Sequence, residues 1–290
     1  MSHANMVDEQ FELLSLIFRL AGRQEYDHTT TAYQKELSST FAEHKNHPAV
    51  RYAATLPLGY DAVFKFAVHI VKKDDQFVLI DDIASLVEDG RWNRQSATKF
   101  LPLMNDFYRK TNFAVFYQSN IPFYEQVTQH FVEQTWSKID FEWFRTYVDP
   151  ANLRCIYAPS TTENNYGATV NGTIVYCAVT GSGGAIVHEF CHHFANPIAD
   201  KWYAENETFR KWCDDSVDLE KMPYYPQGKT MAKEYVTRAY NILYEVEHGW
   251  EPGLMLQNQK AKGFPYIEDV YAMITSHEKT PPGDEVDESQ

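Results

Sequence analysis

A chain of 290 residues with 40 acidic and 26 basic side chains, net charge −14, is ill suited to nucleic acid or an anionic membrane surface, because phosphate binding needs clustered Lys and Arg. Apolar residues at 44% and charged residues at 23% match a soluble globular protein with a sizeable core, built as one large domain or two packed lobes. No stretch approaches the roughly 18 apolar residues that span a bilayer, and Met1 to Gln10 lacks the basic and apolar regions of a signal peptide.

The first half reads as helical. Phe11, Leu14, Ile17 and Phe18 share one helical face, while Glu12 and Arg19 interrupt the apolar run, so an amphipathic helix ending near Gly22 is expected. Further helices are expected over Thr30–His44, which His47-Pro48 follows as a break, and over Asp61–Val71, Gln95–Lys110, Pro122–Trp136 and Asp140–Tyr147. Phe113–Gln118 fits either a strand or the end of a helix.

Composition shifts near Asp149-Pro150. From Leu153 to Thr180 β-branched and aromatic residues dominate, and Asn171-Gly172 between Tyr166–Val170 and Thr173–Ala178 signals a hairpin. Leu153–Ala158 is the expected partner strand. Gly181-Ser182-Gly183-Gly184 then leads into a helix, and helical patterning fills most of the rest. Residues 280–290, rich in Pro, Gly and acid, read as disordered. Of the four cysteines, Cys155, Cys177, Cys191 and Cys213, none forms a CxxC pair, which argues against a cysteine zinc site. Cys155 and Cys177 can face each other on neighbouring strands, but free buried thiols are the plainer reading.

Chemistry concentrates in Ala185-Ile-Val-His188-Glu189-Phe-Cys-His192-His193-Phe194-Ala-Asn196-Pro197. In this His-Glu-x-x-His pattern, two imidazoles one helical turn apart can bind one metal ion, and Glu189 can reach a water beside it. Zinc lowers the pKa of such a water toward about 7, and Glu189 can take its proton as it attacks a carbonyl. Val187, Phe190, Cys191 and Phe194 form the core stripe, leaving His188 and His192 off it. Pro197 is expected to end the helix, with Asn196 near its terminus. Surface histidines on an ordinary helix are the competing reading.

A catalytic zinc usually has three protein ligands and one open position. No third histidine follows at the metzincin spacing, so the third ligand should come from a downstream helix, most often as Glu. Glu205, Glu207, Glu220, Glu234, Glu245 and Glu247 compete, with His248 a weaker candidate. Glu234 is preferred because its helix carries a core stripe, Ala232, Val236, Ala239, Leu243 and Val246, and a second partly apolar face containing Tyr235, Arg238 and Ile242. An ordinary surface pair of Glu234 with Arg238 is the alternative. Tyr235, Tyr240, Tyr244 and His248 are candidates for a donor to the developing oxyanion, with nothing to choose between them.

His188-Glu-x-x-His192 with downstream Glu234-x-x-x-Arg238-Ala239 resembles the gluzincin branch of zinc metallopeptidases, whose third ligand is a helical Glu. More narrowly, Glu12-Leu-Leu-Ser-Leu-Ile-Phe-Arg-Leu-Ala-Gly22, Glu25-Tyr26, His47-Pro48 and Tyr60-Asp61-Ala62-Val63 resemble domain-of-unknown-function family 4932, common in gut Bacteroides. That resemblance runs from about Phe11 to about Tyr271 and implies an exported protein, periplasmic, surface-bound or secreted. The expected fold is α+β: a mostly helical N-terminal lobe (1–150), a zincin-like catalytic lobe (151–278) of small sheet plus active-site helix, and an acidic tail (279–290). The expected function is a metallopeptidase with one Zn²⁺ on His188, His192 and Glu234 and Glu189 as catalytic base. Peptide or protein is the expected substrate, aligned by a strand within Tyr166–Ala178. A zinc hydrolase of a non-peptide amide or ester, and a catalytically silent metal-binding protein, remain as alternatives.

Overall fold

The computed structural model describes residues 6–23, 26, 30–56, 62–80, 83–87, 92–161, 166–170, 174–179, 183–223 and 225–278. The fold is α+β, mostly helical with a small sheet. Two compact units divide the chain: Met1–Phe141 with Asp149–Ile186, and Glu142–Val148 with Val187–Gln290. The strand-rich segment therefore groups with the N-terminal helices, whereas the composition shift set the expected boundary at 150/151. His-Glu-x-x-His falls in the second unit and the three-stranded sheet in the first. Among the described residues no helix is long and apolar enough to cross a membrane. The expected Asn171-Gly172 turn and the acidic tail lie outside the described residues.

In the first unit, helix α1 (Glu9–Leu20) is capped by Asp8, whose carboxylate accepts from the Phe11 amide at 2.9 Å. Its apolar side chains are buried all round rather than along one stripe, so it sits inside the unit. Glu12 and Arg19, expected on a polar face, are buried too. Both find partners at Ser160, just beyond the strand Leu153–Tyr157, and Glu12 a second one at Tyr33. Ser160 Oγ donates to Glu12 Oε1 at 2.7 Å, Tyr33 OH donates to Glu12 Oε2 at 2.5 Å, and Arg19 Nη2 donates to the Ser160 carbonyl at 2.6 Å.

Helix α2 (Ala32–Thr40) starts at a capping box of Thr31 and Gln34. Helix α3 (Pro48–Thr55) has Pro48 in its first turn, where a missing amide hydrogen costs nothing. Helix α4 (Ala62–Val68) is shorter than the periodicity predicts. Its expected last residues form β1 (Ile70–Lys73), which pairs antiparallel with β2 (Gln76–Leu79). The turn rests on Asp74 and Asp75 at φ 48° and 59°, a left-handed conformation that acidic residues tolerate and that no glycine advertises. Helices α5 (Ile83–Val87), α6 (Arg94–Lys110), α7 (Phe113–Ser119) and α8 (Ile121–Gln134) follow, making the Phe113 segment helical. Strand β3 (Leu153–Tyr157) pairs parallel with β5 (Ile174–Val179), which pairs antiparallel with β4 (Tyr166–Val170). The register sets Cys155 opposite Cys177, and Cys155 is a free thiol, as are buried Cys191 and Cys213.

The second unit contains α9 (Gly183–Glu205, beginning in the first unit's last residues), α10 (Glu207–Asp215), α11 (Gly228–Glu247), α12 (Pro252–Ala261) and α13 (Ile267–Glu278). Contrary to expectation, Pro197 lies inside α9, and the helix runs on to Glu205. A proline ring removes one i→i−4 bond and crowds the preceding turn, and here it is exposed, so the adjustment faces solvent. The segment Asp140–Tyr147, expected as an α-helix, makes only a short 3₁₀ turn at Trp143–Thr146. Its aromatic rings, four within a few residues, serve packing instead. Tyr147 stacks on Phe194 of α9 at 4.2 Å, Phe194 meets Tyr240 of α11 edge-on at 5.0 Å, and Phe144 contacts Phe190 at 5.9 Å. This wall holds α9 and α11 side by side.

Candidate metal centre

Two helices bring three ligand atoms together. His188 and His192 lie one turn apart on α9, displaced from the stripe of Val187, Phe190 and Cys191 that is buried at 2% exposure or less. Glu234 comes from the first half of α11, a helix buried on two faces as the sequence suggests: Ala232, Val236 and Ala239 on one, Tyr235 and Ile242 on another. His188 Nε2 and His192 Nε2 are 3.2 Å apart. Glu234 Oε1 is 3.4 Å from His192 Nε2, and Oε2 is 3.6 Å from His188 Nε2. Among the described residues this is the group of ligating side chains whose donor atoms all fall within 4.8 Å of one another.

The spacing fits a single small cation. Two nitrogens each roughly 2.0–2.1 Å from one ion and near a tetrahedral angle lie about 3.3 Å apart. Two imidazoles and a carboxylate are also the donor set of catalytic zinc sites. Glu234 Oε2 is buried and accepts no hydrogen bond of good angle. Arg238 Nη2 lies 3.0 Å away as an ion-pair partner, but does not aim an N–H along that oxygen. A buried carboxylate oxygen without a donor is costly unless a cation satisfies it.

Charge within the cluster is tightly coupled. Burial alone would raise the Glu234 carboxyl, but hydrogen bonding and charge from His192, with His188 and Arg238, outweigh it and hold the group well below the usual carboxylate range. Burial pushes His188 down to about 3, which keeps its imidazole neutral as a metal ligand must be. Burial opposes a proton on His192 as well, yet Glu234 and Glu189 raise it to about 9. The influence of Glu189 on His192 puts that half-buried carboxylate within electrostatic reach of the cluster.

Around the three candidate ligands stands a set of partners, of which only Arg238 was pointed to by a sequence pattern, its i,i+4 spacing from Glu234. His192 Nδ1 is 3.0 Å from Thr237 Oγ1 and 3.1 Å from Asn196 Oδ1. Both can accept from an Nδ1–H, the tautomer that leaves Nε2 free for a metal. Asn196 therefore serves the second histidine and does not end the helix. Arg238 Nη1 donates to Gln259 Oε1 at 3.0 Å, its Nη2 reaches Tyr225 OH at 3.5 Å, and its guanidinium lies 4.4 Å over the Phe264 ring. The Glu234–Arg238 pair is thus present, but buried rather than on the surface. Tyr225, pushed up to about 12 by burial and the Glu234 charge, keeps its hydroxyl proton.

The other candidates make contacts of their own. Tyr235 shares a hydrogen bond with Ser216 Oγ at 2.7 Å, Tyr240 packs on Tyr147, and Tyr244 stacks on His248 at 4.2 Å. Glu205, Glu207 and Glu220 are exposed, and Glu247 accepts from Trp143 Nε1 at 2.6 Å. Neither these nor Glu245 or His248 join the ligand group. His193 is half-buried, and burial lowers its pKa.

No family model, no curated protein and no solved structure matches the chain.

Proposed function

We propose that this protein is a zinc-dependent hydrolase, a metallopeptidase of gluzincin type, with one ion held by His188, His192 and Glu234. The observation that carries the reading is the convergence of their ligand atoms within 4.8 Å, two from one helical turn and one from a neighbouring helix. When bound, the ion supplies Lewis acidity, making a water nucleophilic near neutral pH and polarising a carbonyl. The remaining chemistry belongs to side chains. Glu189, next in sequence to the first ligand and close enough to act on His192, takes the proton of the attacking water and delivers it to the leaving amine. Thr237 and Asn196 fix the His192 ring through Nδ1, and burial keeps His188 neutral. We assign the protein an exported home on its resemblance to family 4932 alone.

Glu189→Gln with a peptide library tests the reading. Zinc content should stay at one ion per chain while cleavage falls by about 10²–10⁴-fold, the usual contribution of a general base. Cleavage at the wild-type rate would remove Glu189 from the mechanism. A wild-type protein that binds zinc and cuts no peptide would move the assignment to a non-peptide amide or ester, or to a silent metal site.

A further inference from the structure

We propose that Arg238 is a positioning residue for the metal site, and that Gln259 and Phe264, outside both ligand helices, set the site's metal affinity through it. The inference rests on the reading of His188, His192 and Glu234 as ligands.

The Glu234 side chain has three rotatable bonds, and on its own helix nothing but Arg238, one turn on, has an ion pair with it. The guanidinium is itself held from three directions. Gln259 Oε1 on α12 accepts from Nη1 at 3.0 Å, the Tyr225 hydroxyl lies 3.5 Å from Nη2, and the guanidinium carbon lies 4.4 Å over the centre of the Phe264 ring. Held in this way, the guanidinium keeps its charge at a fixed place, with Nη2 3.0 Å from Glu234 Oε2, and that fixed charge favours one placing of the carboxylate.

Phe264 reaches that place through a glycine. Gly263 has φ 101°, and the Phe264 amide donates back to the Gln259 carbonyl at 3.1 Å, closing the end of α12 in a left-handed turn. One short segment, Gln259 to Phe264, thus supplies both the hydrogen-bond acceptor and the ring under Arg238.

A cation beside a ligand carboxylate has two opposing effects. Its charge repels an incoming metal ion, whereas its contact holds the carboxylate ready. Our proposal assigns the second effect the larger share, so the test must remove positioning and keep charge. Gln259→Leu and Arg238→Lys both do so. Orienting partners of metal ligands are worth roughly 10- to 100-fold in affinity.

Zinc affinity is measured by competition with a chromogenic chelator on the full chain. The visible spectrum of the cobalt(II)-loaded protein is recorded, and melting of the metal-free forms checks folding. Gln259→Leu should weaken zinc roughly tenfold, Arg238→Lys at least as much, and both should alter the cobalt spectrum. Zinc binding in both variants as tight as or tighter than wild type, with an unchanged spectrum, would overturn the proposal while leaving the ligand assignment standing. A wild-type protein that binds neither ion would instead sink the ligand assignment itself. Should Arg238→Lys fail to fold, Gln259→Leu decides alone.

Discussion

Replacing Thr237 by Val and Asn196 by Leu, singly and together, asks how the second histidine is held. With Nε2 given to a metal, the His192 ring carries its hydrogen on Nδ1, which faces Thr237 Oγ1 at 3.0 Å and Asn196 Oδ1 at 3.1 Å. Thr237 is wholly buried, and Val keeps its shape. Either acceptor can serve alone, so each single change should cost less than one net hydrogen bond, about 1 kcal/mol or a fivefold loss of affinity. Removing both leaves a buried N–H without a partner and an imidazole without a fixed tautomer. That costs about 1–3 kcal/mol, consistent with the roughly 10- to 100-fold loss seen when such partners are removed. Zinc competition titrations of the four proteins, with thermal melts of the metal-free forms as controls, make the measurement. A folded double variant that binds zinc as tightly as wild type would show that neither contact orients His192.

Other predictions concern the scaffold. Gly263→Ala places a side chain at φ 101° and within 2.7 Å of Met222 Cε, so urea unfolding should show a loss of about 1–3 kcal/mol; an unchanged midpoint would remove the glycine from the end of α12 as a requirement. Gly228→Ala at the start of α11 would put Cβ 1.8 Å from Asp214 Oδ1 and force that carboxylate off its 2.7 Å bond with Tyr203, costing about 1 kcal/mol, with unaltered stability as the contrary result. Buried Glu12 provides the pH dependence: burial raises its carboxyl from 4.5 to about 7, so the folded state holds the proton more tightly than the unfolded chain. That contribution is fully present below 4.5 and is lost as pH rises through about 7. It amounts to about 3 kcal/mol from a shift of roughly 2.5 units at 1.36 kcal/mol each. Glu12→Gln should remove this part of the pH profile; parallel profiles for the two proteins between pH 4 and 8 would contradict it.

The grouping of His188, His192 and Glu234 was legible because helical periodicity projects such side chains directly. A four-residue spacing puts His188 and His192 on one face, and Glu234 stood out by lying on a helix patterned for burial on two sides. Their supports were not, since Thr237, Tyr225 and Gln259 meet the ligands or Arg238 through space, at separations no local pattern encodes. The helix expected over Asp61–Val71 overran into β1 at Ile70 and Val71, and the hairpin went unread because its turn uses two aspartates in place of Asn-Gly. Glu12 and Arg19 were misread as a polar face because their partners, Ser160 and its carbonyl, come from a distant segment. Pro197 was overweighted as a terminator, since an exposed proline in a long, well-packed helix need not stop it.

The most direct test is X-ray absorption at the zinc edge on protein loaded with one equivalent of the metal. The account predicts two imidazole nitrogens and a carboxylate oxygen at about 2.0–2.2 Å, with the oxygen of Glu234 lost in Glu234→Ala. Sulfur in the shell, a single imidazole, or a spectrum indifferent to Glu234→Ala would contradict it.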